Sequence, residues 1–289
     1  MKKPVNIFVL AILVMFCSCS DDDTQTQALA PDVATITLDN DVFEINSSDR
    51  RYCELDGEQF TMFIHGLKFT FNKYGDFGTA EVQRSLQGFN FYYRSPFFNS
   101  SSSVSFVLES IDTVNKRVKG HVSGMLFNTN SMAIDQDMPF ACDFDVKYYN
   151  KIPLVQGIHH SSEINGELWN FSNEKKEITN SPIAVTTYVS DDVNNILFTY
   201  NMLTIAQGQY DFDPASDTNK LQFAKYDPAA QQNVIYNTTG TLNVTKRENI
   251  NSSVFVLTCT YNLTAVNPNN PADVVNVNNG KLKTLVYTW

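Results

Sequence analysis

Apolar and polar positions alternate along much of this chain, and the alternation has the period of a strand rather than a helix. From Phe140 to Tyr148, Phe140, Cys142, Phe144, Val146 and Tyr148 take one face, and small or charged residues take the other. Phe255, Leu257, Cys259, Tyr261 and Leu263 repeat the pattern, as do Phe89, Phe91 and Tyr93. Shorter strands are expected at Tyr52 to Leu55, with Cys53 and Leu55 inward, and around Thr35 to Leu38. Asp56-Gly57 and Asn165-Gly166 predict two-residue type I′ hairpin turns, because both central residues need positive φ. The best helical candidate, Asn173 to Ile178, amounts to one or two turns. The expected fold is all-β and antiparallel.

The elements group into two units. Cys53-Glu-Leu-Asp-Gly-Glu-Gln-Phe60 and Ser162-Glu-Ile-Asn-Gly-Glu-Leu-Trp169 share one plan: strand, turn, Glu, then an aromatic on the returning strand. This internal repeat predicts consecutive domains at 33–150 and 160–289, joined by a linker over 151–159. In the second, Val277-Asn-Asn-Gly-Lys-Leu282 predicts a hairpin before a closing strand, Leu282 to Trp289. Short strands punctuated by turns fit a sandwich or a barrel in each unit, and the pattern leaves that choice open.

Ahead of the β region the pattern changes. Lys2 and Lys3 precede an apolar run from Val5 to Phe16, about half the length a spanning helix needs, as in a secretory signal. Phe16-Cys17-Ser18-Cys19 resembles a bacterial lipobox, with the small Ser18 before the cut. The resemblance implies removal of residues 1–18 and a lipid on Cys19. Ser20, Asp21, Asp22 and Asp23 follow, an acidic start to a tether over 19–32 that self-repulsion keeps extended. Cys-Ser before an acidic triplet also resembles the surface-export signal of Bacteroidota lipoproteins. It implies an outer-membrane protein, lipid-anchored and facing the exterior.

A further resemblance lies in the second unit. Thr239-Gly-Thr-Leu-Asn-Val-Thr-Lys246, the long strand at 254–263 and Asn278-Asn-Gly-Lys-Leu282 are similar to an uncharacterised family of all-β Bacteroidota surface lipoprotein domains. The motifs cover about half of that unit, and Asp112 to Phe127 is a fainter echo in the first. The resemblance implies fold and address, and carries over no catalytic residue.

Composition narrows the partners. Without Lys2 and Lys3 the 21 basic residues become 19 against 31 acidic ones, a net charge of −12, which repels nucleic acid. The 30 asparagines suit a chain rich in turns. Export permits disulfides. Cys53 and Cys142 are a candidate pair whose bridge would contribute about 4 kcal/mol, and the same spacing serves two separate buried thiols. Cys259 reads as a core residue.

Candidate chemistry is sparse. His159-His160 falls in the expected linker, where solvated side chains are the simpler reading. His65 and His121 lack partners at metal spacing. Asp211, Asp213 and Asp217, or Asp135 and Asp137, could present oxygens to Ca²⁺, but they read as turn residues. Neither metal nor cofactor is expected. Asp112-Thr113-Val114 resembles the Bacteroidota O-glycosylation tripeptide. Tyr92, Arg94, Phe97 and Phe98 form a candidate ligand platform, opposite the core-facing Phe91 and Tyr93. The expectation is a non-catalytic envelope lipoprotein that binds a glycan, a peptide or an envelope protein. The alternatives are a carboxylate-based hydrolase of an extracellular polymer and a structural subunit of an envelope complex.

Overall fold

The computed structural model describes residues 31–45, 51–86, 89–129, 137–151 and 155–288. Cys19, the Ser20–Asp23 run and Asp135 lie outside the described residues. The first eleven strands are β1 (Val33–Leu38), β2 (Asp41–Glu44), β3 (Arg51–Asp56), β4 (Gln59–Ile64), β5 (Leu67–Asn72) and β6 (Phe77–Leu86). They continue as β7 (Phe89–Arg94), β8 (Val104–Asp112), β9 (Arg117–Asn128), β10 (Met138–Lys147) and the two-residue β11 (Tyr149–Asn150). All eleven belong to one sheet, ordered β11-β3-β4-β5-β6-β7-β9-β10-β1-β2, with β8 also on β9.

That sheet doubles back on itself. The end of β9 pairs with β7, while the chain leaving β10 turns at Tyr148 and runs into β11, which pairs with β3. Alternate residues of the two halves therefore face each other. Phe69 and Phe71 lie 5.6 and 6.0 Å from Phe144, and Phe60 meets Tyr148 edge-on at 5.3 Å. The result is a sandwich with continuous corners, its core inside the fold of a single sheet.

The remaining strands are β12 (His159–Ile164), β13 (Glu167–Asn170), β14 (Asn173–Asn180), β15 (Ile183–Val189), β16 (Asn194–Asn201) and β17 (Gly208–Phe212). After them come β18 (Lys220–Asp227), β19 (Gln232–Ile235), β20 (Asn237–Asn249), β21 (Val254–Asn267) and β22 (Asn270–Tyr287). They make a six-stranded sheet, β13-β12-β22-β21-β20-β17, and a five-stranded one, β14-β15-β16-β18-β19. A second core lies between them. From Asp32 onward the chain is one compact unit holding both cores.

Several local expectations change. Asn165 and Gly166 both take positive φ, 51° and 91°, in the expected type I′ turn. Asp56 instead stays in the ladder opposite Gln59, and the loop is Gly57-Glu58. Only Gly57 has positive φ there, as a type II′ turn with leading glycine requires. The two matching octapeptides thus make hairpins whose loops are offset by one residue. The segment 173–178 is a strand, not a helix: β14 is a sheet edge, where Lys175 and Glu177 stay solvated. Asn278 to Gly280 is no hairpin either. It is a bulge inside the 18-residue β22, opposite Tyr261 to Leu263 on β21. Gly280 is needed there because a Cβ would fall 2.4 Å from the Tyr261 ring.

Candidate functional site

The two sandwiches meet along a seam built on backbone. The Phe171 carbonyl accepts hydrogen bonds from Gln59 Nε2 at 2.8 Å and from the buried Asn72 Nδ2 at 3.2 Å. Gly78 lets the second sandwich approach, since a Cβ there would lie 2.6 Å from the Ser172 carbonyl oxygen. Farther along, the amides of Asn99 and Ser101 donate to the carbonyls of Asp192 and Asp191 at 3.1 and 3.0 Å. The serine run thereby serves the interface, with Ser100 to Ser102 in a 3₁₀ turn.

Two cavities open along this seam. One, of about 490 Å³, is walled on one side by Glu54, Asp56, Gln59, Thr61, Thr70 and Lys151. Its other wall includes Phe171, Asn173, Glu174, Leu285 and Tyr287. The second, of about 500 Å³, is lined by Thr79, Glu81, Arg94, Ser95, Phe97, Phe98 and Lys175. Thr70 of the first and Thr79 of the second share a hydrogen bond at 3.3 Å, and Glu174 and Lys175 are consecutive. The two cavities thus adjoin along the seam, as two lobes beside one another. Clefts between rigid units of this volume are the usual form of ligand sites.

The expected platform is drawn into this groove. Tyr92 and Arg94 face outward while Phe91 and Tyr93 are buried, and the Arg94 guanidinium lies 5.9 Å from the Tyr92 ring. Arg94 Nε also pairs with Glu81 at 3.4 Å. Phe98 is not an open surface: it stacks on Tyr226 of the other sandwich at 5.3 Å, and Phe97 meets it edge-on at 4.9 Å. Arg94, Phe97 and Phe98 reach one lobe, whereas Tyr92 stands beside it.

The electrostatics of the lobes differ. In the lobe of about 490 Å³, Lys151 Nζ pairs with Asp56 at 3.2 Å. Glu174 is open to water, but the protein mass around the cleft desolvates its carboxyl and raises its pKa; the charge of Lys176 offsets this in part. Deeper in the seam, burial first, then the charges of Asp76 and Asp192, push the Asp191 carboxyl up to about 6. The Phe77 backbone amide partly counters that shift.

Other sequence candidates find structural roles. His160 is no linker residue: β12 alternates inward through His160, Ser162 and Ile164, and the imidazole is 1 % exposed. The rings of Trp169, Tyr188 and Tyr261 surround it edge-on. His65 sits with Gly66 in a positive-φ turn, its ring against Phe43. Asp211 accepts hydrogen bonds from Gln209 and Thr241, and Asp213 from the Ala215 amide and Ser216. Among the described residues no group of three or more His, Cys, Asp or Glu is placed to hold a metal ion. Cys53 and Cys142 are buried free thiols in the first core rather than a bonded pair, and burial pushes both up to about 12. Thr113 and Val114 occupy the exposed β8–β9 turn, where Asp112 accepts the amides of Val114 and Asn115.

One constellation escaped the sequence. On the outer face of β9 and β10, His121 Nδ1 lies 2.7 Å from Asp143 Oδ1, and its Nε2 lies 3.1 Å from Ser123 Oγ. The connectivity is that of a Ser-His-Asp relay. Its signal was the i, i+2 spacing of His121 and Ser123, but Asp143 joins only through the β9–β10 register. The relay lies on a flat sheet face. Through this stretch β9 is paired with β8 on one side and β10 on the other. Its amides are therefore committed to the ladder, and none is left to stabilise an oxyanion.

Compared with known proteins, the chain matches no family model, no curated protein and no solved structure.

Proposed function

We propose that this chain is a non-catalytic cell-envelope lipoprotein that binds an extended partner, a glycan, a peptide or a segment of an envelope protein, in its seam groove. The observation that carries the binding half is the groove itself. It comprises two neighbouring lobes of about 490 and 500 Å³, and each is lined from both sandwiches. Aromatic rings beside amides, hydroxyls and carboxylates suit a ligand with apolar faces and polar rims. The address rests on Lys2-Lys3, the apolar run, Cys19 and the Ser20–Asp23 stretch, with the lipoprotein resemblance of the second half. Together they support lipid anchoring in the outer membrane with the groove outside the cell.

The test is a binding screen of residues 32–289 against polysaccharide and peptide libraries, repeated with Phe97→Ala and Tyr287→Ala. Binders that both variants lose support the reading; binders indifferent to both sink it. A second reading, carboxylate-based hydrolysis, draws on one observation. Glu174, its carboxyl pushed upward as a general acid requires, shares a lobe with Glu54 and Asp56. Product release from a bound polymer that Glu174→Gln abolishes would favour it.

A further inference from the structure

Asp32 is pinned at the place where the expected tether joins the first sandwich. Its Oδ1 accepts the Lys147 amide at 2.8 Å, its Oδ2 lies 3.2 Å from Arg51 Nε, and Arg117 Nη1 stands 3.6 Å away. The join is therefore a fixed point on the body. Cys19 precedes it by thirteen residues, a reach of at most about 45 Å when fully extended. Whatever surrounds Asp32 is the surface that an anchor on Cys19 holds closest to its membrane.

That surface is amphipathic. Asp32 shares a cavity of about 270 Å³ with Arg51, Tyr52, Lys147 and Tyr149. Tyr149 is 60 % exposed, and Lys147 Nζ lies 6.0 Å over its ring. Tyr52 is also exposed and stacks on Phe63 of the next strand at 5.6 Å. Val33, next to Asp32 in the chain, is 57 % exposed.

Tyrosine suits the boundary between water and lipid, because its ring is apolar and its hydroxyl stays wet. Lysine lays its stem along apolar surface and keeps its ammonium in water. We infer that the rim around Asp32 is the face the protein rests on its membrane, with Val33, Tyr52 and Tyr149 meeting the lipid headgroups. This rests on the reading of Cys19 as the lipid anchor. Anchoring makes the encounter intramolecular, so contacts too weak to hold a free protein are enough to orient an anchored one. Glu54 lies opposite Tyr149 in the β3–β11 register and also lines the seam, so one lobe then opens close to the membrane surface.

The experiment couples Cys19 of residues 19–289 to a maleimide lipid in phosphatidylcholine vesicles, the other three thiols being buried. Tyr149→Trp, Val107→Trp and Leu203→Trp each add one indole at an exposed position to the native Trp169 and Trp289. Val107 is on β8, and Leu203 follows β16 in the second sandwich. Bromine on the acyl chains is expected to quench most of the emission added at 149 and little of that added at 107 or 203. An unquenched indole at 149, equal quenching at the three positions, or stronger quenching at 107 or 203 overturns the inference. Palmitate labelling of cells that express the full chain separates the two failures. If Cys19→Ala abolishes a label that the wild type carries, the anchor stands, and an unquenched indole at 149 removes the seating alone. If the wild type takes up no label, the address and the seating fall together.

Discussion

His160 on β12 and Tyr261 on β21 share a hydrogen bond of 2.6 Å between Nε2 and the phenol oxygen, sealed inside the second core. Burial holds the imidazole neutral, down at about 3 against an ordinary 6.5, and neighbouring His159 adds to the shift. A depressed histidine makes the fold most stable above the unfolded value. Stability is then lost as the pH falls from about 6.5 towards 3, because the unfolded chain takes up the proton first. The full effect is on the order of 3–5 kcal/mol. Asp191 has the opposite sign: its contribution is present at low pH and lost as pH rises through about 6. Being partly open to water, it weighs less. Melting temperatures of wild type and His160→Gln between pH 7.5 and 4 isolate the histidine. The wild-type curve should fall more steeply, and parallel curves would remove the claim.

Gly280 tests the bulge in β22. Its missing Cβ leaves room for the Tyr261 ring, which would otherwise be met at 2.4 Å at Cζ and 2.5 Å at both Cε atoms. Gly280→Ala must displace a ring that also holds His160. A loss of about 2–4 kcal/mol in urea denaturation is expected. Gly166→Ala is a useful contrast. No atom lies within 4 Å of its Cβ position, so only the strain of φ 91° opposes it.

Cys53, Cys142 and Cys259 should behave as three protected thiols in residues 32–289. Burial raises all three to about 12, so little thiolate exists at neutral pH. A thiol reagent should label none of them in the native protein and all three in guanidinium. An unreduced mass two units below the reduced one, with a Cys53–Cys142 linked peptide in the digest, would mean that these two are bonded.

Ser123 should be inert. Its hydrogen bond to His121 supplies the beginning of nucleophile activation, but the strand ladders on both sides of β9 leave no oxyanion donor. A fluorophosphonate probe is expected to leave Ser123 unmodified after overnight exposure. Labelling that Ser123→Ala and Asp143→Asn both abolish would establish a serine hydrolase.

Much of the fold was legible because strands write their burial into alternate positions. Phe140, Cys142, Phe144 and Val146 are all buried, as the alternation required. His160 was not legible: its strand turns His and Ser inward, so no apolar period marks it. Nor was β14, whose Glu-Lys-Lys-Glu run favours a helix in isolation and is a strand only because β15 pairs with it. Asn278-Asn279-Gly280 has turn chemistry, yet a bulge uses the same positive φ, 54° at Asn279, without reversing the chain. Of the groove, only Arg94, Phe97 and Phe98 were singled out in the sequence. Its other walls come from β3–β5, β14 and β22, which only the packing of the two sandwiches brings together.

The central claim is that ligand occupies the seam between the sandwiches. Hydrogen–deuterium exchange of residues 32–289, with and without the tightest binder from the library screen, tests it most directly. The account predicts slowed exchange on both walls at once, in peptides covering 54–61, 70–81, 94–98, 171–176 and 283–287. Protection confined to an outer sheet face such as that around His121, or to one sandwich alone, would contradict it.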